Sequence, residues 1–127
     1  MRNDFVINGR QVKAGSREIV NIRLPALHSD ATVIMPVHVI HGLKEGPTLF
    51  ISAAVHGDEI NGVEIIRRVL GFSAINSLKG TLLAIPAVNV FGFDAHSRYL
   101  PDRRDLNRSF PGREQGTLAG RLANTFM

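Results

Sequence analysis

The sequence predicts an α/β fold with a mixed, mainly parallel sheet flanked by helices. Three observations carry this expectation. Residues 48–55 form a nearly continuous apolar run, as expected of a central strand buried on both faces. Residues 62–70 put Val63, Ile66, Val69 and Leu70 on one stripe and turn Glu64, Arg67 and Arg68 towards solvent, which is a helical period. Residues 81–88 form a further apolar, β-rich run. Strand, helix and strand in that order are the α/β pattern.

The remaining elements follow in chain order. Residues 1–17 are polar and glycine-containing, with a brief apolar touch at Phe5, Val6 and Ile7, and read as an arm or edge strand. Residues 18–24 alternate, with Ile19, Asn21 and Arg23 set against Val20, Ile22 and Leu24, so a strand near an edge is expected. Pro25 closes it. Residues 27–31 have turn chemistry, and residues 32–40 form a second β-rich run that pairs with the first as an antiparallel hairpin. Pro36 cannot donate to a ladder, which places its position at an edge or bulge. Residues 42–47 read as a turn. Gly71 stops the helix, Gly80 ends a connecting loop, and Pro86 interrupts the strand at residues 81–88. Residues 89–116 have little periodicity, and a loop of that length points to function. Thr117 then caps a helical pattern through Leu118, Leu122 and Phe126 that is still running at Met127. The chain reads as truncated.

Composition narrows the chemistry. At 127 residues, 44% hydrophobic and 20% charged, the chain has the make-up of one ordinary globular domain. It has no cysteine, which excludes disulfides, thiolate zinc sites and cysteine nucleophiles. No segment has the apolar length needed to span a bilayer, and Met1-Arg2-Asn3-Asp4 leads into no signal-peptide core, so a cytoplasmic protein without a membrane partner is expected. The net charge of +4 rests on 12 arginines and only three lysines. Five of those arginines (Arg98, Arg103, Arg104, Arg108 and Arg113) fall within 16 residues. Nucleic acid is the obvious partner for such a patch, but the chain has no tryptophan, one tyrosine and no nucleic-acid motif, and none is expected.

Two motifs carry the chemistry. His56-Gly57-Asp58-Glu59 lies on the connection after the central strand, where open α/β sheets place their ligand sites. An imidazole nitrogen and a carboxylate oxygen one turn of chain apart can converge on one Zn²⁺. The bare His-x-x-Glu spacing is a weak signal, and a lone histidine after a strand is more often a hydrogen-bonded loop residue. The second motif runs from Ser97 to Gly112, where Asn107 and Arg108 offer an amide and a guanidinium able to clamp a carboxylate. Asp105 is expected to orient an arginine rather than bind substrate. A surface loop with internal Arg–Asp pairs is the plainer alternative.

Taken together and in order, His-Gly-Asp-Glu with Asn61-Gly62, then Arg98-Tyr99 and Asp105-Leu106-Asn107-Arg108-x-Phe110-Pro111-Gly112, resemble the succinylglutamate desuccinylase/aspartoacylase family, zinc-dependent deacylases with a zinc carboxypeptidase-like fold. The likeness covers most of residues 48–127, and residues 1–47 match more loosely. Asn89-Val90-Phe91-Gly92 departs from the family's Asn-Pro-x-Gly turn at Val90. The resemblance implies that residues 1–127 are the N-terminal part of such a catalytic domain, with one zinc ion and with His56 and Glu59 as two of its three protein ligands. It implies that the third ligand, a histidine, and the general base, a glutamate, come later than Met127; Glu114 sits too early to be that base. It implies that Arg98 stabilises the oxyanion, a role that Arg103 or Arg104 could take instead, and that Asn107 and Arg108 hold the substrate carboxylate. The reaction so implied is hydrolysis of an N-acyl amino acid or similar small amide with a free carboxylate.

Two other functions compete: a metallocarboxypeptidase acting on peptides, and a non-catalytic module that keeps the fold. His28, His38, His41 and His96 are the other histidines, and His96 is the nearest rescue for the missing ligand. His38 and His41, three apart on a strand, point to opposite faces and make a poor joint site. Central strands in a cut domain would leave an apolar edge open, so homo-oligomers through that edge are expected.

Overall fold

The computed structural model describes residues 1–25 and 29–127. Leu27 and His28, part of the expected turn, lie outside the described residues. Among the described residues six strands and three α-helices follow in order: β1 (Phe5–Ile7), β2 (Arg10–Val12), β3 (Ser16–Arg23), β4 (Ile34–His41), β5 (Lys44–Ser52), α1 (Asn61–Gly71), β6 (Lys79–Ile85), α2 (Val90–Asp94) and α3 (Leu118–Phe126). Among the described residues no helix is long and apolar enough to cross a membrane.

The expected arm is a hairpin. Asn8 and Gly9 both take positive φ, +48° and +74°, which suits the tight turn that joins β1 to β2. β3 and β4 pair antiparallel over their whole lengths, from Ser16↔His41 to Arg23↔Ile34. The alternation in β3 turns Val20 inward and leaves Ile19 57% exposed, as the sequence predicts. Pro36 faces Asn21 across this ladder, and β6 pairs only with His38–His41. The proline therefore sits where β4 has no second neighbour, which is the local edge its chemistry requires.

The main sheet has the order β3-β4-β6-β5. Only β5 and β6 run parallel; β3 with β4 and β4 with β6 are antiparallel. The expectation of a mainly parallel sheet is thus corrected to a mixed, mostly antiparallel one. One strand–helix–strand crossover yields one parallel pair, and the crossover inserts β6 between β4 and β5 rather than extending a parallel array. β4 and β6 are the two inner strands. β5 begins earlier than expected, at Lys44, and absorbs Gly46 and Pro47 in a bulge between Lys44 and Thr48. It lies at the edge, with Leu49 60% and Phe50 58% exposed, so its apolar run is not buried on both sides here.

Side-chain alternation divides the core between the two faces of the sheet. Ile40, Leu82 and Ala84 meet Ala53 and the inward stripe of α1, Ile66 and Leu70. Met35, Val37, Val39 and Ile85 face the other way and meet Phe91, Leu100, Leu106 and the buried side of α3, Ala119, Leu122 and Ala123. Thr117 caps α3 as expected, its Oγ1 accepting from the Gly120 N–H at 3.1 Å.

The N-terminal segment closes the start of the central strands. The Arg2 guanidinium donates to the carbonyls of Gly42 (2.8 Å), Lys44 (3.2 Å) and Gly80 (2.7 Å) and to Thr81 Oγ1 (3.0 Å). His41, buried beneath it, bonds Thr81 Oγ1 through Nδ1 (2.8 Å) and the Asn3 carbonyl through Nε2 (2.9 Å).

Candidate active site

Parallel pairing continues past the regular ends of β5 and β6. The Ala53 N–H donates to the Ile85 carbonyl (3.1 Å), Val88 to Ala53 (3.0 Å) and Asn89 to Ala54 (3.0 Å). Ala54 is buried with φ +51°, an unusual conformation for an alanine, and the chain turns there out of the strand. Gly57 packs directly on the backbone of Gly92, so closely that a Cβ at Gly57 would collide with the Gly92 carbonyl. Gly92 is fixed in turn by its N–H, which donates to Asn89 Oδ1 at 2.9 Å. These contacts fix the loop that carries His56.

The His56 side chain is almost wholly buried between two carboxylates. Its Nδ1 lies 3.0 Å from Glu59 Oε1 and its Nε2 2.8 Å from Asp105 Oδ1, both within hydrogen-bond distance. Glu59 is brought round by a turn in which its N–H donates to the His56 carbonyl (3.2 Å). Asp105 is placed by a 3₁₀ turn at Leu106–Arg108, where its Oδ1 also accepts from the Asn107 N–H (2.9 Å) and its carbonyl accepts from Ser109 Oγ (2.9 Å). Leu106, fully buried in the core with α3, pins that turn to the body of the protein.

The electrostatics follow from this geometry. Burial disfavours the charged imidazole, but hydrogen bonds to Asp105 and Glu59 outweigh it and raise the His56 pKa above its ordinary value. The Asp105 carboxyl is held below its ordinary value, chiefly by the His56 hydrogen bond and further by the Asn107 N–H and by Arg98, against the opposing effect of burial. Arg98 spans the two carboxylates, 3.6 Å from Glu59 Oε1 and 3.6 Å from Asp105 Oδ2. Arg108 reaches Asp105 Oδ2 at 3.7 Å and is otherwise open to solvent.

The structure therefore brings together His56, Glu59 and Arg98 and sets Arg108 at their margin. The Asn107 side chain is exposed beside them and contributes its backbone N–H. Of the three arginines considered for the oxyanion, Arg98 alone touches the cluster among the described residues. Arg103 is exposed with φ +61°, and the backbone N–H of Arg104 bonds Asp102. His96 is exposed after α2 and belongs to no cluster of metal-ligating side chains; His38 and His41 lie on β4, away from His56. Sequence reasoning assigned Asp105 to an arginine, and it does approach two, but its closest side-chain partner is His56.

Two donors on one tetrahedral zinc lie roughly 3.3 Å apart, given metal–ligand distances of about 2.0–2.2 Å. The separation of His56 Nδ1 and Glu59 Oε1, 3.0 Å, is near that value. Asp105 approaches the opposite ring nitrogen and cannot share the same ion. Among the described residues no group of three or more His, Asp or Glu side chains could hold a metal. Cysteine is absent from the chain altogether.

Comparison with known proteins places this arrangement. Residues 45–127 match the profile of the succinylglutamate desuccinylase/aspartoacylase catalytic domain. The chain is 29% identical over 109 residues to an N-alpha-acetyl-L-2,4-diaminobutyric acid deacetylase of Halomonas elongata, covering 83% of this chain and 32% of that protein. Its fold superposes on a succinylglutamate desuccinylase/aspartoacylase from Rhodobacter sphaeroides with a TM-score of 0.77 and 32% identity, over 85% of this chain and 34% of the other. The product-bound ectoine utilization protein EutE (DoeB) from Ruegeria pomeroyi also gives a TM-score of 0.77, at 35% identity, over 87% of this chain and 35% of that one. The chain thus spans about a third of the length of the relatives it matches. With the two motifs, their spatial meeting and the profile match in agreement, this chain belongs to the succinylglutamate desuccinylase/aspartoacylase family.

Proposed function

We propose that this chain supplies the metal-binding and substrate-clamping part of a zinc-dependent deacylase acting on N-acyl amino acids or similar small amides with a free carboxylate. The observation that carries the reading is the approach of His56 Nδ1 to Glu59 Oε1 at 3.0 Å, with the Arg98 guanidinium 3.6 Å from the same oxygen. The diaminobutyrate deacetylase among its relatives supports the reaction class.

His56 and Glu59 are the residues that would hold zinc. When bound there, the ion would polarise the amide carbonyl and lower the pKa of an attacking water. The protein's own residues do the rest. Asp105 accepts from Nε2, which orients the ring and leaves Nδ1 turned to Glu59. Arg98, partly open to solvent beside both carboxylates, meets negative charge as it develops on the carbonyl oxygen. Arg108 and Asn107 face outward next to the cluster, where a guanidinium fork and an amide fix a substrate carboxylate and so align the scissile bond. Among the described residues Glu59 and Asp105 are the only carboxylates that touch the cluster, and both are committed to His56, so neither is assigned as the general base.

The shortage of a third ligand favours one second reading, a metal-binding module with little activity of its own. Zinc stoichiometry and affinity of the purified chain beside His56→Ala, after dialysis against a mild chelator, test both readings. Weak zinc binding that His56→Ala abolishes is the expected result. Zinc held equally by the variant would remove His56 from the site. A peptidase is separated from a deacylase by comparing N-acyl amino acids with blocked dipeptides as substrates for a chain as long as the relatives.

A further inference from the structure

The three lysines of the chain gather at one end of the molecule. Lys13 precedes β3, Lys44 begins β5, and Lys79 begins β6 in register with Lys44. This is the end of the sheet remote from the site. His56 follows the opposite end of β5, a strand of nine residues and on the order of 25 Å. A cavity of about 410 Å³ opens here, between the start of β3 and the 3₁₀ turn Ser73–Ser77, and its lining includes Arg17, Lys44, Asn76, Ile40, Ile75 and Leu78. Arg17 is held in place, its guanidinium donating to the Leu70 carbonyl at the end of α1 (2.8 Å). The acids that neighbour the two cations in sequence are taken. Glu18 accepts from Arg10 at 3.1 Å, and Glu45 lies 3.6 Å from Arg2. Among the described residues no carboxylate comes within ion-pairing distance of Arg17 or Lys44.

The lining divides into two parts. Ile40, Ile75 and Leu78 belong to the core beneath α1 and give the cavity an apolar wall. Arg17, Lys44 and the Asn76 amide, which has no partner among the described residues, supply donors. The other polar side chains of the wall are spent: His41 on Thr81 and the Asn3 carbonyl, the Ser16 hydroxyl on the Lys13 carbonyl (2.7 Å), and the Ser77 hydroxyl on the Ala74 carbonyl (3.1 Å). Positive charge without a protein counter-ion in a concave wall draws anions, and an apolar wall draws a hydrocarbon body. We propose that this cavity binds a small organic acid, one carboxylate on a short apolar chain, at a site separate from the His56 cluster. Arg17 presents its planar fork to the carboxylate, Lys44 adds charge, and Asn76 adds a further hydrogen bond. The hydrocarbon lies against Ile40, Ile75 and Leu78. A ligand of charge alone leaves that wall wet, and a neutral one leaves both cations unpaired. The proposal stands independently of the zinc-dependent reading.

The test is titration of the 127-residue chain with hexanoate, acetate, hexanol and inorganic phosphate, followed through the backbone amide resonances of residues 73–78. Hexanoate is expected to bind at least about tenfold more tightly than acetate, which lacks the body, and than hexanol, which lacks the charge. Lys44→Gln, at an exposed position whose side chain has no partner among the described residues, should weaken hexanoate about tenfold and leave the thermal melt unchanged. Arg17→Gln should weaken it at least as much, but it also removes the Leu70 bond, so Lys44→Gln is the deciding variant. Inorganic phosphate bound as tightly as hexanoate would show that the lysines gather any anion, and would overturn the site. Hexanoate shifts confined to residues 98–108 would put the acid on the carboxylate clamp of the His56 cluster and would overturn it too. So would a hexanoate affinity that Lys44→Gln leaves unchanged.

Discussion

His56 and Asp105, 49 residues apart in the chain, share a 2.8 Å hydrogen bond that joins the first motif to the second. The bond engages Nε2 and leaves Nδ1 turned to Glu59, the nitrogen that would meet the proposed zinc, and metal-ligating histidines depend on such partners for orientation and basicity. Asp105→Asn keeps the shape and the acceptor but removes the charge. The chain's zinc affinity should then fall about tenfold while its circular dichroism stays unchanged. A change below about twofold would assign the bond to loop structure alone.

Gly57 is expected to be intolerant of any side chain. Its Cα faces the Gly92 backbone with no room for a methyl group, and that neighbour is itself tied to Asn89. Gly57→Ala should destabilise the fold by about 1–3 kcal/mol, the usual cost of overpacking, and should weaken zinc binding by shifting His56. Thermal or urea melts give the first quantity. An unshifted melt would show that the loop can slide over Gly92.

The exposed edge of β5 predicts self-association. Leu49 is 60% exposed on a strand that has one hydrogen-bonded neighbour, β6. An unpaired apolar edge is a template for another chain, and a lysine there blocks it. Sizing chromatography should show concentration-dependent oligomers for the unmodified chain and a shift towards monomer for Leu49→Lys. A strictly monomeric unmodified chain at all concentrations would contradict this.

Acid stability should carry a signature of α1. Glu64 accepts from Arg67 at 2.7 and 2.8 Å and from Arg68 at 2.9 Å, and these bonds hold its pKa at about 2, below the ordinary 4.5. A carboxyl with a depressed folded pKa lends stability above its unfolded value and loses it as pH falls through the folded one. The contribution is therefore full above pH 4.5 and gone below about pH 2. Glu64→Gln should flatten the melting-temperature profile across that window. The pair is solvent-exposed and screened, so added salt should flatten it too.

Much of this architecture was legible from local chemistry. The alternation of Val20, Ile22 and Leu24, the stripe of Ile66 and Leu70, and the Thr117 cap all act within a few residues, and each element formed where they placed it. The Asn8-Gly9 turn was equally local, and its sequence is a hairpin signal that the reading of residues 1–17 as an arm passed over. Neighbour relations were not legible. The apolar run of β5 has the composition of a central strand, yet which strand lies beside which is decided by the crossover, and β6 took the inner place beside β4. At the site, motif order pointed to His56, Glu59 and Arg98, and the structure places His56 and Arg98 both beside Glu59. The Asp105–His56 bond was hidden because no periodicity spans 49 residues, and the two loops meet through tertiary contacts such as the buried Leu106 anchor and the Gly57–Gly92 packing.

The Arg2 staple has a consequence for the order of events during synthesis. Two of its four acceptors, Gly80 and Thr81, lie 78 and 79 residues downstream, so the staple cannot close fully until β6 has been made, although Gly42 and Lys44 come 40 and 42 residues after Arg2. At translation rates of about 5–20 residues per second, that wait is on the order of ten seconds. Throughout it the β3–β4 hairpin can form by local pairing, while Arg2 lacks two of its four acceptors. Early folding of this domain can thus be led by its interior hairpin, with Arg2 fully engaged only once β6 is in place.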